Sequence, residues 1–212
     1  MLPNVVRRPN LAEDVALGAR LAHMQGREIG PEQVARVLRE AGVAYVLVGA
    51  HAANGYTGRP RATVDVDVVV QFPKKAAQAI AAAYPYLVAT DTPVVTRFKD
   101  GEHEAIDLMK PSSSKLWGRL LKLTRGVKIG TEEVRVPVLE GVLAAKFAAM
   151  VSLGRRQADK MIDCGDFIRM VEANEQVDLT LLAELGDLVF AGGGEEVVRH
   201  VNEVRAGRPL RV

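Results

Sequence analysis

The stretch LVGAHAANGYTGRPRATVDVDVVV, residues 47–70, carries the decision about the fold. It closes a β-branched run, VAYVLVG (43–49), of the kind that fills a buried strand. The small-residue segment AHAANGYTG (50–58) then fits a tight turn after Gly49 and a short helix. TVDVDVVVQF (63–72) reads as a second strand in which two aspartates interrupt a run of valines. Side chains alternate faces along a strand at about 3.3 Å per residue. Asp65 and Asp67 therefore point the same way with Cα atoms roughly 6 to 7 Å apart, while Val64, Val66, Val68 and Val70 line the other face. Two carboxylates on one face repel each other and lose hydration, a cost that a divalent cation offsets, and hard oxygen ligands at this spacing suit Mg²⁺. An edge strand with one solvated face explains the same pattern without a cation.

The flanks extend the alternation. Residues 1–10 read as a frayed tail, LAEDVALGARLAHMQ (11–25) as a helix, and PEQVARVLREAG (31–42) as a second helix with Pro31 in its first turn and Gly42 at its stop. A helix begun by Pro73 follows the aspartate strand. PVVTRF (93–98) and HEAIDLMK (103–110) form a hairpin about the turn formers Asp100 and Gly101. SSSKLWGRLLKLT (112–124) has a serine N-cap and helical periodicity, and VKIG with EEVRVPV makes a small hairpin about Gly130. From Leu139 onward no strand signal remains. Helices are expected near 139–152, 158–173, 178–188 and 194–206, punctuated by LGRRQ, NEQVD and AGGG. The fold class is α/β (α+β), divided into an N-terminal helical lead-in (1–42), a core (43–137) and a C-terminal helical region (138–212).

Composition bounds the function. With 212 residues, 48% of them apolar, the chain can bury a sizeable core. No stretch approaches the roughly 18 to 20 apolar residues of a spanning helix, and MLPNVVRRPN lacks the apolar run of a secretory signal, so no membrane partner and a cytoplasmic location are expected. The one cysteine, Cys164, rules out a disulfide within the chain and reads as a small helix residue. A net charge of +2 is too small to make the whole surface a trap for polyanions. Residues 115–135 are nevertheless locally basic, with Lys115, Arg119, Lys122, Arg125, Lys128 and Arg135 against Glu132 and Glu133.

Further candidates lie downstream. Asp107 sits in an apolar strand, where an isolated carboxylate is costly unless paired or metal-bound; beside Asp65 and Asp67 it would complete a two-metal site for phosphoryl transfer. Lys146 shares a helical face with Leu139, Val142, Leu143, Ala149, Met150 and Leu153, and either snorkels to water or supplies a point charge to a site. In the next helix Arg156, Asp159, Lys160, Asp163 and Asp166 form one stripe, with Met161, Cys164 and Ile168 turned away; a solvated charged face is the plain reading. The four histidines show no zinc spacing.

The ordered set Gly49, Arg61, Thr63, Asp65, Asp67 and Asp107 resembles the signature of the polymerase-β-like nucleotidyltransferases, in which hG[G/S], a short helix, an R-x-T lead-in and D-x-D follow in order. The AbiEii-type and minimal nucleotidyltransferases of bacterial toxin–antitoxin pairs look most similar. Their fold would cover residues 43 to about 110, and the later helices resemble the C-terminal part of AbiEii-type proteins. The resemblance implies a small mixed sheet flanked by helices and an Mg²⁺-dependent enzyme. Such an enzyme moves a nucleoside monophosphate from an NTP to an acceptor hydroxyl of RNA, such as tRNA, or of protein, with a cognate antitoxin or toxin as partner. It implies Asp65, Asp67 and Asp107 as catalytic ligands of two metal ions. It also implies Gly49, Ala50, Arg61, Thr63, Lys146, Lys160, Asp163 and Asp166 as nucleotide-binding residues, with His51 the one histidine near the nucleotide. For an RNA acceptor, the ridge Lys115, Arg119 and Lys122 is where phosphate contacts are expected, although solvation alone also explains it. One departure stands out: the family has Gly-Gly or Gly-Ser where this chain has Gly49 and Ala50. A phosphate-holding hydroxyl is therefore missing, while backbone N–H groups at 50–53 remain as donors. That departure favours an alternative, a catalytically inactive nucleotide-binding or antitoxin-like module of the same fold. A protein-interaction unit with the carboxylates on its surface is a third reading.

Overall fold

The computed structural model describes residues 7–24 and 29–210. The chain enters through α1 (Leu11–Met24) and α2 (Pro31–Glu40), where Pro31 occupies the first turn and the Gln33 side chain accepts from the Gly30 N–H. Gln25, expected at the end of the first helix, and residues 1–6 of the expected tail lie outside the described residues. Then follow β1 (Tyr45–Leu47), α3 (Gly49–Thr57), β2 (Val66–Val70), α4 (Pro73–Ala83), β3 (Val88–Asp91), β4 (Val95–Asp100) and β5 (His103–Met109). A 3-10 turn (Pro111–Ser113) leads into α5 (Lys115–Leu120), capped by the Ser114 hydroxyl accepting from the Leu116 N–H at 3.2 Å. The β6 (Thr124–Ile129) and β7 (Glu132–Pro137) hairpin precedes four helices, α6 (Leu139–Val151), α7 (Gln157–Ala173), α8 (Leu179–Asp187) and α9 (Gly193–Arg205).

Strands β1 to β5 form a mixed sheet in the order β1-β2-β5-β4-β3, in which β2 and β5 run parallel and the other neighbours antiparallel. The fold is thus α/β, with a small mixed sheet flanked by helices. Strand alternation divides the apolar side chains into two cores. Val66, Val68 and Val70 join Phe98, Ile106 and Leu108 on one face, packed with α1, α2, α4 and the β6–β7 hairpin. Val46 and Val69 face the other core, built by α3, α5 and the four C-terminal helices around Phe147 and Phe167. The Tyr56 hydroxyl ties the hairpin to this framework by donating to the Pro137 carbonyl at 2.7 Å, and its burial pushes the phenol up to about 12.

Two local expectations need correction, and one strand had no expectation. The aspartate strand starts at Val66, not Thr63: a bend at 64–65 precedes it and turns Val64 to solvent at 51% exposure. Strand β3 has no burial alternation because all four of its residues are exposed on the sheet edge, so periodicity had nothing to detect. Helix α5 ends at Leu120 and leaves Lys122 beyond it. The β4–β5 hairpin also hides an irregularity. Lys99 pairs with Glu104 but Phe98 pairs with Ile106, so Ala105 is an extra residue on β5 and every pairing beyond it moves by one.

Among the described residues no helix is long and apolar enough to cross a membrane. The segment AGGG brings α8 and α9 together: a Cβ on Gly186 would lie 2.6 Å from the Gly193 carbonyl oxygen. Gly186→Ala should therefore push the helices apart and cost about 1–3 kcal/mol, the usual range for overpacking, measured as a lowered urea midpoint.

Candidate active site

The β2–β5 register sets the site. Asp67 and Asp107 are direct partners on adjacent parallel strands, and Arg97 is the partner of Asp107 on β4, so the three side chains form a row on one sheet face. Asp65, in the bend before β2, joins them; its carboxylate accepts from the Thr63 hydroxyl at 3.1 Å. Opposite Asp67 lies Gly49, the first residue of α3, with φ +64°. A Cβ on Gly49 would collide with the Asp67 carboxylate, so glycine is required twice over, by the left-handed backbone and by the close approach. The first turn of α3 thereby opens beside the carboxylates, with Gly49 and Ala50 in the wall of the same cleft.

That cleft measures about 970 Å³ and is lined by Gly49, Ala50, Arg61, Thr63, Asp65, Asp67, Asp107, Lys146 and Asp163 of the expected residues. A hollow of about 1100 Å³ lies against the other sheet face, between α4 and Phe98, and holds none of them. Arg97, Glu104, Trp117 and Arg155, which sequence reasoning did not single out, also line the cleft. Lys160 and Asp166 do not line it, so the structure brings neither into the cleft wall with the nucleotide-binding set expected for them; Asp166 instead holds Lys146 and Arg61, which do line it.

Electrostatics shape the cleft. Burial, and then the negative charges of Asp65 and Asp107, push the Asp67 carboxyl well above its usual 3.8, against the opposing pull of Lys146 and Arg155. Asp107 is held by a guanidinium fork: Arg97 Nε lies 2.9 Å and Nη2 2.6 Å from its two carboxylate oxygens, while Arg97 Nη1 reaches Glu104 at 2.6 Å. Among the described residues no three His, Cys, Asp or Glu side chains close on one metal position. The donors themselves suit a hard divalent cation: all are carboxylate oxygens, and the mutual repulsion that raises Asp67 is what such a cation relieves.

The C-terminal helices supply a second layer. Lys146, only 5% exposed, emerges from α6 between two α7 carboxylates, Asp163 Oδ1 and Asp166 Oδ2, each 2.8 Å from its Nζ. It does not snorkel. Leu153, expected on the same buried face, is instead fully exposed beyond the end of α6. Asp166 also takes Arg61 Nη2 at 3.0 Å and Arg169 Nη2 at 2.6 Å, and Arg155 Nε reaches Asp163 at 2.6 Å. Burial alone would raise Asp166; its hydrogen bonds to Arg61 and the charge of Lys146 outweigh that and hold it far below the usual carboxylate range. The α7 stripe is therefore a buried ion network at Asp163 and Asp166 rather than a solvated face, while Met161 and Ile162 are exposed.

The backbone of Arg61 is fixed by Asn54, which accepts from its N–H at 3.0 Å and donates to its carbonyl at 2.8 Å. Gly18 of α1 leaves the room for this asparagine, since a Cβ there would strike its amide. The sequence signal was a polar residue inside a short helix of small ones. His51 departs from expectation: it is 2% exposed, outside the cleft lining, and burial followed by the charge of Arg61 lowers it to about 4. His200 is wedged between Phe147 and Phe167, and Cys164 is buried with its thiol pushed up by desolvation. Lys115, Arg119 and Lys122 are all exposed, with Leu116 and Leu120 buried behind them.

No family model matches the chain, and no curated protein matches it in sequence. Solved structures do. JHP933 from Helicobacter pylori superposes with a TM-score of 0.50 at 16% identity, over 93% of this chain and 92% of that one. An antigenic nucleotidyltransferase-like protein from Paracoccidioides brasiliensis gives 0.49 at 16% identity, over 92% and 94%. The likeness to JHP933 is one of fold across nearly the whole chain.

The site makes two stability predictions. Because the folded-state pKa of Asp67 lies above its unfolded value, its contribution to stability is favourable below about pH 3.8 and is lost as pH rises. Asp67→Asn should therefore raise the urea midpoint at pH 7, with the gain disappearing as pH falls toward 3.8. Lys146→Met leaves Asp163 and Asp166 buried with one counter-charge fewer and should cost about 3 kcal/mol in the same measurement.

Proposed function

We propose that the chain is an Mg²⁺-dependent nucleotidyltransferase that moves a nucleoside monophosphate from an NTP to an acceptor hydroxyl and releases pyrophosphate. The observation that carries this reading is the convergence in one cleft of Asp65, Asp67 and Asp107 with the first turn of α3 and the Lys146 ammonium. Asp65 and Asp67 would hold Mg²⁺ against the triphosphate, and Asp107 would hold a second ion and draw the proton from the acceptor hydroxyl. When bound, the ions supply neutralisation of charge developing on the phosphoryl oxygens.

The protein's own groups do the remaining work. Donors at the start of α3 face the phosphates; Ala50 adds no hydroxyl there, so backbone N–H groups carry that contact. Arg61 and Lys146 are the cations that phosphate would draw from Asp166 and Asp163. Thr63 fixes the Asp65 carboxylate by its hydrogen bond. Residues 43–137 would form the catalytic core and 138–212 the helical cover that brings Lys146 to it.

For the acceptor we favour RNA, such as tRNA, over protein. The exposed Lys115 and Arg119 leave from α5 and Lys122 from the turn just after it; the same short helix carries Trp117 into the cleft wall, so a polyanion on this ridge would lead toward the carboxylates. A role in a toxin–antitoxin pair with a cognate partner, in the cytoplasm, extends the same reading. A second reading, a nucleotide-binding or antitoxin-like module without turnover, is favoured by one observation: Asp107 and Lys146 are each saturated by opposite charges.

Incubation with each α-labelled NTP, Mg²⁺ and a cell extract separates them. Under the transferase reading one macromolecule becomes labelled, and Asp65→Ala with Asp67→Ala lowers the label roughly 10³-fold or to background. Label that survives the double change removes these residues from the mechanism; nucleotide binding without label from either protein favours the inactive module.

A further inference from the structure

Arg97 is placed by the fold as a cation inside the carboxylate cluster. The row Asp67, Asp107, Arg97 runs across three neighbouring strands, and the Arg97 fork occupies both oxygens of Asp107, at 2.9 and 2.6 Å. Asp107 is 4% exposed, so its charge has little access to water and depends on that fork. The guanidinium takes one lone pair of each Asp107 oxygen and neutralises the carboxylate, so a metal ion must compete with Arg97 for this ligand. Glu104 gives Arg97 a second anchor at 2.6 Å on the same strand as Asp107, so release from Asp107 need not free the guanidinium from the cleft.

We propose that Arg97 is a competing internal cation: it holds Asp107 while the second divalent ion is absent and surrenders it when that ion binds, which makes the second site weak until Arg97 moves. The role rests on the nucleotidyltransferase reading above. Arg97 is a positioning residue, acting through Asp107, and Glu104 sets how readily it lets go. Removal of the Glu104 charge leaves the fork with Asp107 as its sole carboxylate partner and favours the closed state.

Titration with Mn²⁺ followed by the electron paramagnetic resonance of the free ion tests this without any turnover. The wild-type chain should show a tighter and a weaker class of site. Arg97→Gln should tighten the weaker class roughly tenfold, the equivalent of about one charge-assisted hydrogen bond, and leave the tighter class unchanged. Arg97→Lys, which keeps the charge and loses the fork, should fall between, and Glu104→Gln should weaken the weaker class. Thermal unfolding with and without Mn²⁺ gives a second readout if Arg97→Gln is less stable: its midpoint should rise more on Mn²⁺ addition than that of the wild type. A weaker class that is unchanged or loosened in Arg97→Gln overturns the role of Arg97 and leaves the transferase reading standing. Absence of Mn²⁺ binding to wild type and variant alike overturns both.

Discussion

The repulsion among three carboxylates held in a low-dielectric cleft is the constraint on which the rest of the structure depends. Register pairing across β2 and β5 sets Asp67 beside Asp107, and the bend before Val66 adds Asp65. Opposing this repulsion are the rigidity of a sheet buried on both faces by two apolar cores and the cations arrayed around the cleft. Val66, Val68 and Val70 hold β2 against one core, so the aspartates cannot relax apart without breaking that packing. Burial and this repulsion together push the Asp67 carboxyl well above its usual value.

Charge balance is distributed in two layers. Arg97 answers Asp107 within the sheet, and Lys146, Arg61, Arg155 and Arg169 surround Asp163 and Asp166 in the helices above it. In the second layer the cations outnumber the carboxylates, and Lys146 and Arg155 act from there on the Asp67 carboxyl. The network also locks α6 and α7 to the 61–65 segment, because Arg61 is held at its backbone by Asn54 of α3 and at its side chain by Asp166 of α7. Under the proposed function, binding and architecture would use the same ion pairs, and a ligand that drew Lys146 or Arg61 away from its carboxylates would loosen the contact between the sheet and the helical cover.

Much of this was legible in the sequence. Helix stops and starts at Pro31, Gly42, Pro73, Ser114 and Leu139 are local backbone chemistry, and valine alternation fixed which way Asp67 faces. The cleft was partly legible: Gly49, Arg61, Thr63, Asp65, Asp67, Asp107 and Lys146 are brought together as their order suggested. Lys160, Asp166 and His51 do not join them, because spacing along one helix says which side chains share a stripe but not which part of that stripe another element covers. The same gap hid the burial of Asp163 and Asp166, whose helix carries charge in a pattern that solvation explains equally well.

The sequence alone determined most of the elements, β3 excepted, and set Asp65 and Asp67 among the core valines at the start of β2, since these follow from side-chain periodicity and turn chemistry within a few residues. Only the tertiary structure decided what neutralises the carboxylate cluster. A regular hairpin about the Asp100–Gly101 turn would set Arg97 opposite Ile106, on the core face; the extra residue at Ala105 moves the register by one and delivers the guanidinium to Asp107. A one-residue shift exchanges the two faces of a strand, and nothing in the side-chain pattern of HEAIDLMK announces where the bulge will form.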